Sequence, residues 1–263
     1  MRMKWRDIIF GWLVLVLFSA CSSIDESERF IYVKPASVKR AVLIEEFTGQ
    51  RCVNCPTAAL EIEKLQAQYG EQNIVSVAVH AGPLAVSPSG AVIGLRTSLG
   101  DEYYNHFGVD MEPSAVINRR GGVMLMDKWG AAVYNELQTE APVQLSLSCM
   151  LGADNEVHVA LDAIATEAIH GKLQLWLTED SITAIQMMPD GTVNSQYLHQ
   201  HVLRAAFNGT WGEEVNWRAG ETSQQSYSLP VDSQWNQGQL YVIAFVYTDE
   251  GVQQVCRQKV SGN

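Results

Sequence analysis

The segment 42–56, VLIEEFTGQRCVNCP, places two cysteines where an apolar run gives way to an amphipathic pattern. Its branched apolar residues predict a buried strand over 42–47, followed by a short loop. The helical pattern runs from about 53 to 69, so Cys52 and Cys55 lie at the predicted N-terminus of a helix. The chain must therefore fold with a strand, a loop and a helix start around one pair of thiols.

This placement favours redox chemistry, because a thiolate is the reactive form of cysteine. Unpaired backbone N–H groups at a helix start stabilise a thiolate and lower the thiol pKa from about 8.5 to between about 3.5 and 7.5. Cys52 is nearest the helix start, so it is predicted to be the exposed nucleophile. Cys55, one turn further in, is predicted to be the buried resolving thiol.

Two other interpretations of the pair stay open, half of a zinc site and an inert structural disulfide. Zinc prefers four ligands, and the sequence contains no second C-x-x-C or H-x3-H pair. The sequence therefore predicts no metal and no cofactor here. An inert disulfide remains the main alternative to redox exchange.

The motif resembles the active site of a thioredoxin-like domain, and the resemblance extends beyond the two cysteines. Glu46 lies six residues before Cys52, where many thioredoxins carry a buried acid beside the resolving cysteine. Pro113, in the segment EPSAVI, matches the cis-proline that precedes a strand in that family. The resemblance implies that Glu46 assists proton transfer at Cys55 and that Pro113 docks the substrate backbone.

More narrowly, the pattern EEFTGxxCxNCP resembles Gram-negative outer-membrane lipoproteins with a thioredoxin-like first half and an all-β second half. The fold class implied is an α/β thioredoxin-like domain followed by an all-β immunoglobulin-like sandwich domain. Thioredoxin has WCGPC where this chain has RCVNC over 51–55. The redox potential and the partner are therefore not carried over.

The N-terminus resembles a lipoprotein export signal. A basic start and an apolar run over 8–18 precede the segment FSAC, which ends at Cys21. The run is shorter than the ~20 residues of a membrane-spanning helix. We expect a cleaved signal peptide over 1–20, a lipidated Cys21 that anchors the protein to the outer membrane, and a polar tether over 21–40. An ordinary signal peptide and a retained anchor are the alternatives.

The remaining pattern predicts two domains that meet near Pro142. The first domain, 41–141, has the predicted element order β-α-β-α-β-β-α. In the second domain, 142–263, apolar and polar residues alternate with a period of two, which is typical of half-buried strands. The predicted elements are strands 42–47, 74–79, 114–119 and 123–126, helices 53–69, 91–107 and 129–140, and sandwich strands near 143–151, 157–163, 173–177, 240–247 and 252–260.

Two further cysteines, Cys149 and Cys256, lie in predicted strands of the sandwich. Cys149 falls on the apolar face of its strand, and an exported protein experiences an oxidising compartment. We therefore predict a structural disulfide between them. Two separate buried thiols are the alternative.

Three histidines near the predicted site have open interpretations. His80 ends a strand close to the cysteine pair and is predicted to be a capped or solvent-facing loop residue. His199 and His201 would share one face of a strand, where two imidazoles can seed a metal site or form a structural or interface pair. No third ligand is evident in the sequence nearby, so the structural interpretation is favoured.

The chain of 263 residues has a net charge of −11, which repels phosphate backbones and disfavours nucleic-acid binding. Two functions are consistent with the pattern. The first is a membrane-tethered thiol-disulfide oxidoreductase whose partners are exported proteins with thiols or disulfides. The second is a non-enzymatic surface lipoprotein whose β-sandwich binds protein or glycan.

Overall fold

The computed structural model describes residues 38–262. The predicted signal peptide, Cys21 and the tether as far as residue 37 lie outside this range. Within it there are three α-helices, α1 (Cys55–Tyr69), α2 (Ser98–Phe107) and α3 (Trp129–Leu137), and short 3-10 turns at Met126–Lys128 and Gln237–Gln239. None of these helices is long and apolar enough to cross a bilayer.

The structure is mostly β, with sixteen strands between residues 38 and 262. The strands are β1 (Val38–Lys39), β2 (Val42–Thr48), β3 (Ile74–His80), β4 (Ser114–Ile117), β5 (Arg120–Met124), β6 (Glu140–Ala141), β7 (Val143–Leu151), β8 (Glu156–Ala165), β9 (Ile169–Glu179), β10 (Ile182–Met187), β11 (Val193–His199), β12 (Val202–Ala206), β13 (Glu213–Trp217), β14 (Thr222–Pro230), β15 (Leu240–Thr248) and β16 (Gly251–Lys259).

One nine-stranded sheet runs through both predicted domains. Its order is β16-β15-β9-β12-β3-β2-β4-β5, with β13 also paired to β9. β2 and β3 are parallel, whereas β4 is antiparallel to β2. The connection between the halves is the parallel contact of β12 with β3, where Val202 faces Ala78. The division at residues 141 and 142 stays a prediction, and the sheet is continuous across it.

A three-stranded sheet, β14-β8-β7, packs against the second half of the large sheet. The alternation seen in the sequence explains this packing, because successive strand residues point to opposite faces. Val143 and Cys149 of β7 are buried, and the exposed positions alternate with them. The predicted pairing of the last two strands is confirmed, with Ala244 of β15 opposite Cys256 of β16.

In the described part of the chain, most buried apolar residues belong to three clusters. The first lies between β2, β3 and helices α1 and α3, and includes Val42, Ile44, Ala58, Ile62 and Trp129. The second lies on the opposite face of the same strands and includes Leu43, Phe47, Tyr103, Trp176 and Phe245. The third fills the sandwich and includes Val159, Leu161, Leu175, Val242 and Ala244.

The prediction of a helix over 91–107 is wrong at its start, because α2 begins only at Ser98. The Thr97 side chain accepts a hydrogen bond from the Gly100 N–H and caps the helix there. Residues 91–97 instead form a loop in which Gly94 approaches the Ser87 backbone so closely that a Cβ would lie 2.2 Å from the Ser87 carbonyl carbon. The close approach of two loop segments therefore overrides the local helical pattern.

A buried ion pair sits between the two halves of the large sheet. Arg119 contacts Glu45 through Nε and Nη2 at 3.0–3.3 Å, and the two side chains are 7% and 0% exposed. Six aromatic rings surround the guanidinium carbon at 4.5–5.9 Å: Tyr103, Phe107, Trp176, Trp211, Phe245 and Tyr247. Since these rings come from both halves, the pair and its aromatic cage join them.

Candidate active site at the Cys52–Cys55 disulfide

The cysteine pair lies at the predicted strand-to-helix junction and forms a disulfide, with Cα atoms 5.4 Å apart. The Cys52 N–H donates to the Gly49 carbonyl at 3.0 Å, which closes a tight turn before the helix. Helix α1 begins at Cys55, two residues later than predicted. Pro56 is tolerated in its first turn because a backbone N–H there has no partner within the helix.

The turn depends on Gly49, whose backbone lies against the neighbouring loop. A Cβ at this position would lie 2.5 Å from the Leu84 carbonyl carbon. The Arg51 N–H donates to the Leu84 carbonyl oxygen at 2.9 Å. This contact fixes the backbone immediately before Cys52.

The predicted exposure of Cys52 is wrong, because the residue is only 3% exposed. A hairpin of β10 and β11 from the second half covers the cysteine turn. Gln186 Nε2 donates to the Cys52 carbonyl at 2.8 Å, and the Met187 N–H donates to the Gln50 carbonyl at 2.9 Å. Cys55 is equally buried, as predicted. A large substrate therefore reaches the sulfurs only if the hairpin or the turn shifts.

Glu46 is buried on the helix-facing side of β2, at the end of the strand nearest the cysteines. Burial, with a smaller contribution from Glu112, raises the pKa of Glu46 to about 8. Its Oε1 atom has no hydrogen-bond partner among the described residues. The carboxyl group can therefore bind or release a proton near neutral pH, which suits a general acid or base.

A second carboxyl group, Glu112, faces the disulfide and was missed by the sequence analysis. One of its oxygens and the sulfurs of Cys52 and Cys55 all lie within 4.8 Å of one another. Burial raises the pKa of Glu112 to about 7, although Arg96 opposes this shift. The Glu112–Pro113 peptide bond is cis, as the resemblance implies. Its position directly before Pro113 could have indicated from the sequence that Glu112 lies near the cysteines.

The trio of Cys52, Cys55 and Glu112 has the donor types of a metal site. Two of the three donors are joined in a disulfide, however, and only reduction would release them as thiolate ligands. The structure therefore holds a disulfide with an adjacent carboxyl group.

A cavity of about 60 Å³ extends from Cys55 and Glu46 toward the hairpin. His80 from β3 and Tyr197 and His199 from β11 also line it. The His80 and His199 rings pack edge to face with centroids 5.2 Å apart. The second half of the chain thus contributes part of the wall around the cysteine pair.

His80 does not face solvent, contrary to the prediction. It is 3% exposed, because the hairpin covers the end of β3, and its Nδ1 atom has no partner among the described residues. Burial, with smaller effects of His199 and Arg204, holds the pKa of His80 well below its usual value. Burial also lowers the pKa of His199 to about 4. Both imidazoles are therefore neutral at physiological pH.

His199 and His201 do not share a strand face. β11 ends at His199, and His201 adopts a left-handed backbone conformation with φ of 58°. His201 Nδ1 lies 3.1 Å from Asp180 Oδ1, whereas His199 Nε2 lies 3.3 Å from the Ile185 carbonyl oxygen. The two imidazoles therefore have different hydrogen-bond partners, and neither belongs to a group of three or more candidate metal ligands among the described residues.

The predicted disulfide between Cys149 and Cys256 is not formed, and both residues are free thiols in the structure. Burial raises the pKa of each thiol to about 12. Since disulfide formation begins from a thiolate, burial keeps these two sulfurs in their unreactive form. They pack instead as small apolar groups in the sandwich core.

More than half of the chain matches a known protein family. The sequence model of the outer membrane protein Omp28 family matches residues 100–263, more than half of the chain. None of the curated protein sequences matches this chain. The match begins after Cys52 and Cys55, so the redox pair lies outside it.

Two solved structures from Porphyromonas gingivalis are similar to this chain. HBP35 matches with a TM-score of 0.65 at 15% identity, and the match covers 86% of this chain and 76% of HBP35. A domain of the outer membrane lipoprotein Omp28 matches with a TM-score of 0.36 at 20% identity, covering 47% of this chain and 91% of that domain. The first comparison shows a shared fold. From the sequence match, the chain belongs to the Omp28 family of outer membrane proteins and its location is the outer membrane.

Proposed function

We propose that this protein is a thiol-disulfide oxidoreductase of the outer membrane that exchanges disulfides with exported proteins. The observation that carries the proposal is the Cys52–Cys55 disulfide at a strand-to-helix junction with the carboxyl group of Glu112 beside both sulfurs. An inert structural disulfide needs no acid beside it. A disulfide that cycles takes up and releases protons, which neighbouring carboxyl groups can supply.

Residues 41–141 are best described as a thioredoxin-like unit. The parallel pair of β2 and β3, the antiparallel β4, and helix α1 after the cysteine turn support this assignment. The cis peptide before Pro113 supports it further. The second half is then an immunoglobulin-like sandwich joined to this unit along the large sheet.

In the proposed cycle, the Cys52 thiolate attacks one sulfur of a substrate disulfide and forms a mixed disulfide. The other substrate sulfur leaves and takes up a proton. Cys55 then attacks the Cys52 sulfur, which restores the internal disulfide and releases the second substrate thiol. Glu46 accepts the proton of Cys55 in this step, and Pro113 docks the substrate backbone.

Trapping of covalent partners tests this function. Replacing Cys55 with Ser should arrest exchange at the mixed disulfide, because no thiol remains to resolve it. Envelope proteins should then be released from the purified C55S variant by a reductant and identified by mass spectrometry. The double variant C52S/C55S is the matched control. Equal yields from the two variants would contradict the assignment of Cys52 as nucleophile.

The same proposal places the lipid anchor at Cys21, the residue that follows the short apolar run. Several acyl chains hold a protein on a membrane far more firmly than one. Replacing Cys21 with Ala should therefore move the mature protein from the membrane fraction to the soluble fraction. Replacing the adjacent Ser22 with Ala should leave it in the membrane fraction. If both variants stay membrane-bound to the same extent, the lipid anchor is wrong.

The burial of Cys52 beneath the hairpin favours the non-enzymatic alternative. In that case the sandwich would bind a protein or glycan at the cell surface and the disulfide would only stabilise the fold. The two functions differ in one measurable property. Only an oxidoreductase can cycle the disulfide while it remains folded.

A further inference from the structure

Each reduction of the disulfide adds two electrons and two protons to a pair of buried sulfurs. Cys55 is 3% exposed and Glu46 is 4% exposed, so neither can exchange protons directly with bulk solvent. If Glu46 accepts the proton of Cys55, it must lose that proton before the next cycle. A path from the buried carboxyl group to water is therefore required.

The cavity beside Cys55 is large enough to hold water. Its volume of about 60 Å³ exceeds the ~10–15 Å³ that one water molecule occupies by the same measure. Oε1 of Glu46 and Nδ1 of His80 are buried polar atoms without hydrogen-bond partners among residues 38–262. Both residues line the cavity, and their unpaired atoms are suitable partners for water.

The hairpin and helix α1 both contribute to the wall of the cavity. This wall includes Leu198, which is 53% exposed, and Glu63, which is also exposed. The buried residues Glu46 and Cys55 line the same cavity. The histidine pair is contributed by β3 and β11. The same cavity is thus lined by Cys55 and Glu46, by the two imidazoles and by residues exposed at the surface.

We propose that His80 and His199 form a proton-transfer path between Glu46 and solvent, so that the second half of the chain completes the redox site. This inference rests on the proposed function and adds a role for the hairpin. A neutral imidazole has one donor and one acceptor nitrogen, so it can accept a proton at one nitrogen and release one from the other. In this path both histidines act through Glu46 and exchange no proton with the sulfurs directly.

Cys55 gives its proton to the Glu46 carboxylate while its sulfur attacks Cys52, and the bond between Cys52 and the substrate sulfur breaks. The departing substrate thiolate carries the electron pair of that bond and takes a proton from solvent. Glu46 then passes its proton through the cavity to His80 and His199 and on to water. The substrate disulfide is the oxidant, and two electrons have moved to it.

Several titratable or charged groups surround the histidine pair and influence its pH dependence. They are Glu46 on β2, Cys55 and Glu63 on α1, Tyr197 on β11, His201 after β11, and Arg204 on β12. Arg204 lowers the pKa of both histidines and is itself paired with Glu179. Burial has the larger effect on both pKa values, and together the two effects keep the imidazoles neutral, which is the state that a relay requires.

A two-phase thiol-release assay tests the path. Reduced protein is mixed with a small aromatic disulfide whose thiolate absorbs light. The first thiolate reports attack by Cys52, and the second reports resolution by Cys55. Replacing His199 with Phe should slow the second phase at least ~10-fold near neutral pH and change its pH profile, because general acid–base groups contribute ~10²–10⁴-fold. The first phase should stay within about twofold of wild type.

Two further variants separate proton transfer from packing. Replacing His199 with Ala should slow the second phase, and added imidazole should restore it by binding in the enlarged cavity. Replacing His80 with Gln should slow the same phase and leave the first unchanged. The control is His170, an exposed histidine on β9, whose replacement with Phe should change neither phase.

The possible results are distinct. A second phase that is unchanged in the His199 variants overturns the path, and so does a slow phase that keeps the wild-type pH profile and is not restored by imidazole. The absence of both phases in the wild-type protein would instead overturn the proposed function, and the path with it.

Discussion

Replacing Arg119 with Ala should lower the free energy of unfolding by about 3–5 kcal/mol, the typical cost of removing one partner of a buried ion pair. The change would leave the Glu45 carboxylate, which is 0% exposed, without its cation in an apolar environment. It would also empty the centre of the aromatic cage that joins the two halves. Urea or guanidinium denaturation at pH 7 measures the loss.

Two comparisons make this prediction specific. Replacing the exposed Arg218 with Ala should change the free energy of unfolding by less than about 0.5 kcal/mol. The double variant R119M/E45Q should be more stable than R119A, because it removes the buried charges together. An R119A protein as stable as the R218A control would show that the pair does not hold the halves together.

Replacing Glu46 with Gln should make the oxidised protein more stable above pH 8. The pKa of Glu46 is raised from an ordinary value of about 4.3 in the unfolded chain to about 8 in the folded protein. Ionisation of Glu46 therefore destabilises the folded protein. The stabilisation that protonated Glu46 provides is present in full below about pH 4.3 and is lost as the pH rises to about 8. At ~1.4 kcal/mol per pKa unit the loss is ~5 kcal/mol, and structural relaxation makes this an upper figure.

Denaturation curves across pH 5 to 9 check this prediction. The wild-type protein should lose stability from this group as the pH rises, and the difference between E46Q and wild type should grow over the same range. Glu71 is exposed, so E71Q should follow the wild-type curve. A difference between E46Q and wild type that stays constant with pH would show that Glu46 does not titrate as a buried acid. The same variant should resolve mixed disulfides slowly, because its side chain cannot accept a proton from Cys55.

Local patterns predicted the elements around the cysteines well. The buried run of β2 and the helix that begins near Cys55 follow directly from apolar periodicity. The start of α2 was not predicted, because the contact of Gly94 with another loop determines it and a long-range contact leaves no local pattern. The alternation in β7 correctly identified the buried face that contains Cys149.

The composition of the site was only partly predictable. Cys52, Cys55 and Glu46 could be read from one short motif, whereas Gln186 and His199 lie more than 130 residues further along the chain. The Asp190-Gly191 dipeptide between two strand-like runs indicates a β-hairpin. This hairpin was not among the predicted elements. Even with that hairpin assigned, its docking over the cysteine turn depends on contacts between distant segments.

Cys149 and Cys256 also show that a sequence pattern alone does not determine the chemistry of a site. Counting cysteines and assigning an oxidising compartment favoured a bond between Cys149 and Cys256. The structure instead buries both sulfurs as thiols whose pKa is raised to about 12. Reactivity depends on the environment of each thiol in the fold, and cysteine counting contains no information about it.

The most direct test of the redox function is the equilibrium of the folded wild-type protein with glutathione buffers of graded potential. The free thiols are blocked by alkylation and located by mass spectrometry, and circular dichroism confirms that the protein stays folded. We expect Cys52 and Cys55 to become reduced together as one two-electron couple, while Cys149 and Cys256 remain unmodified until the protein is unfolded. A Cys52–Cys55 disulfide that resists reduction until denaturant unfolds the chain would contradict the account and identify the bond as structural.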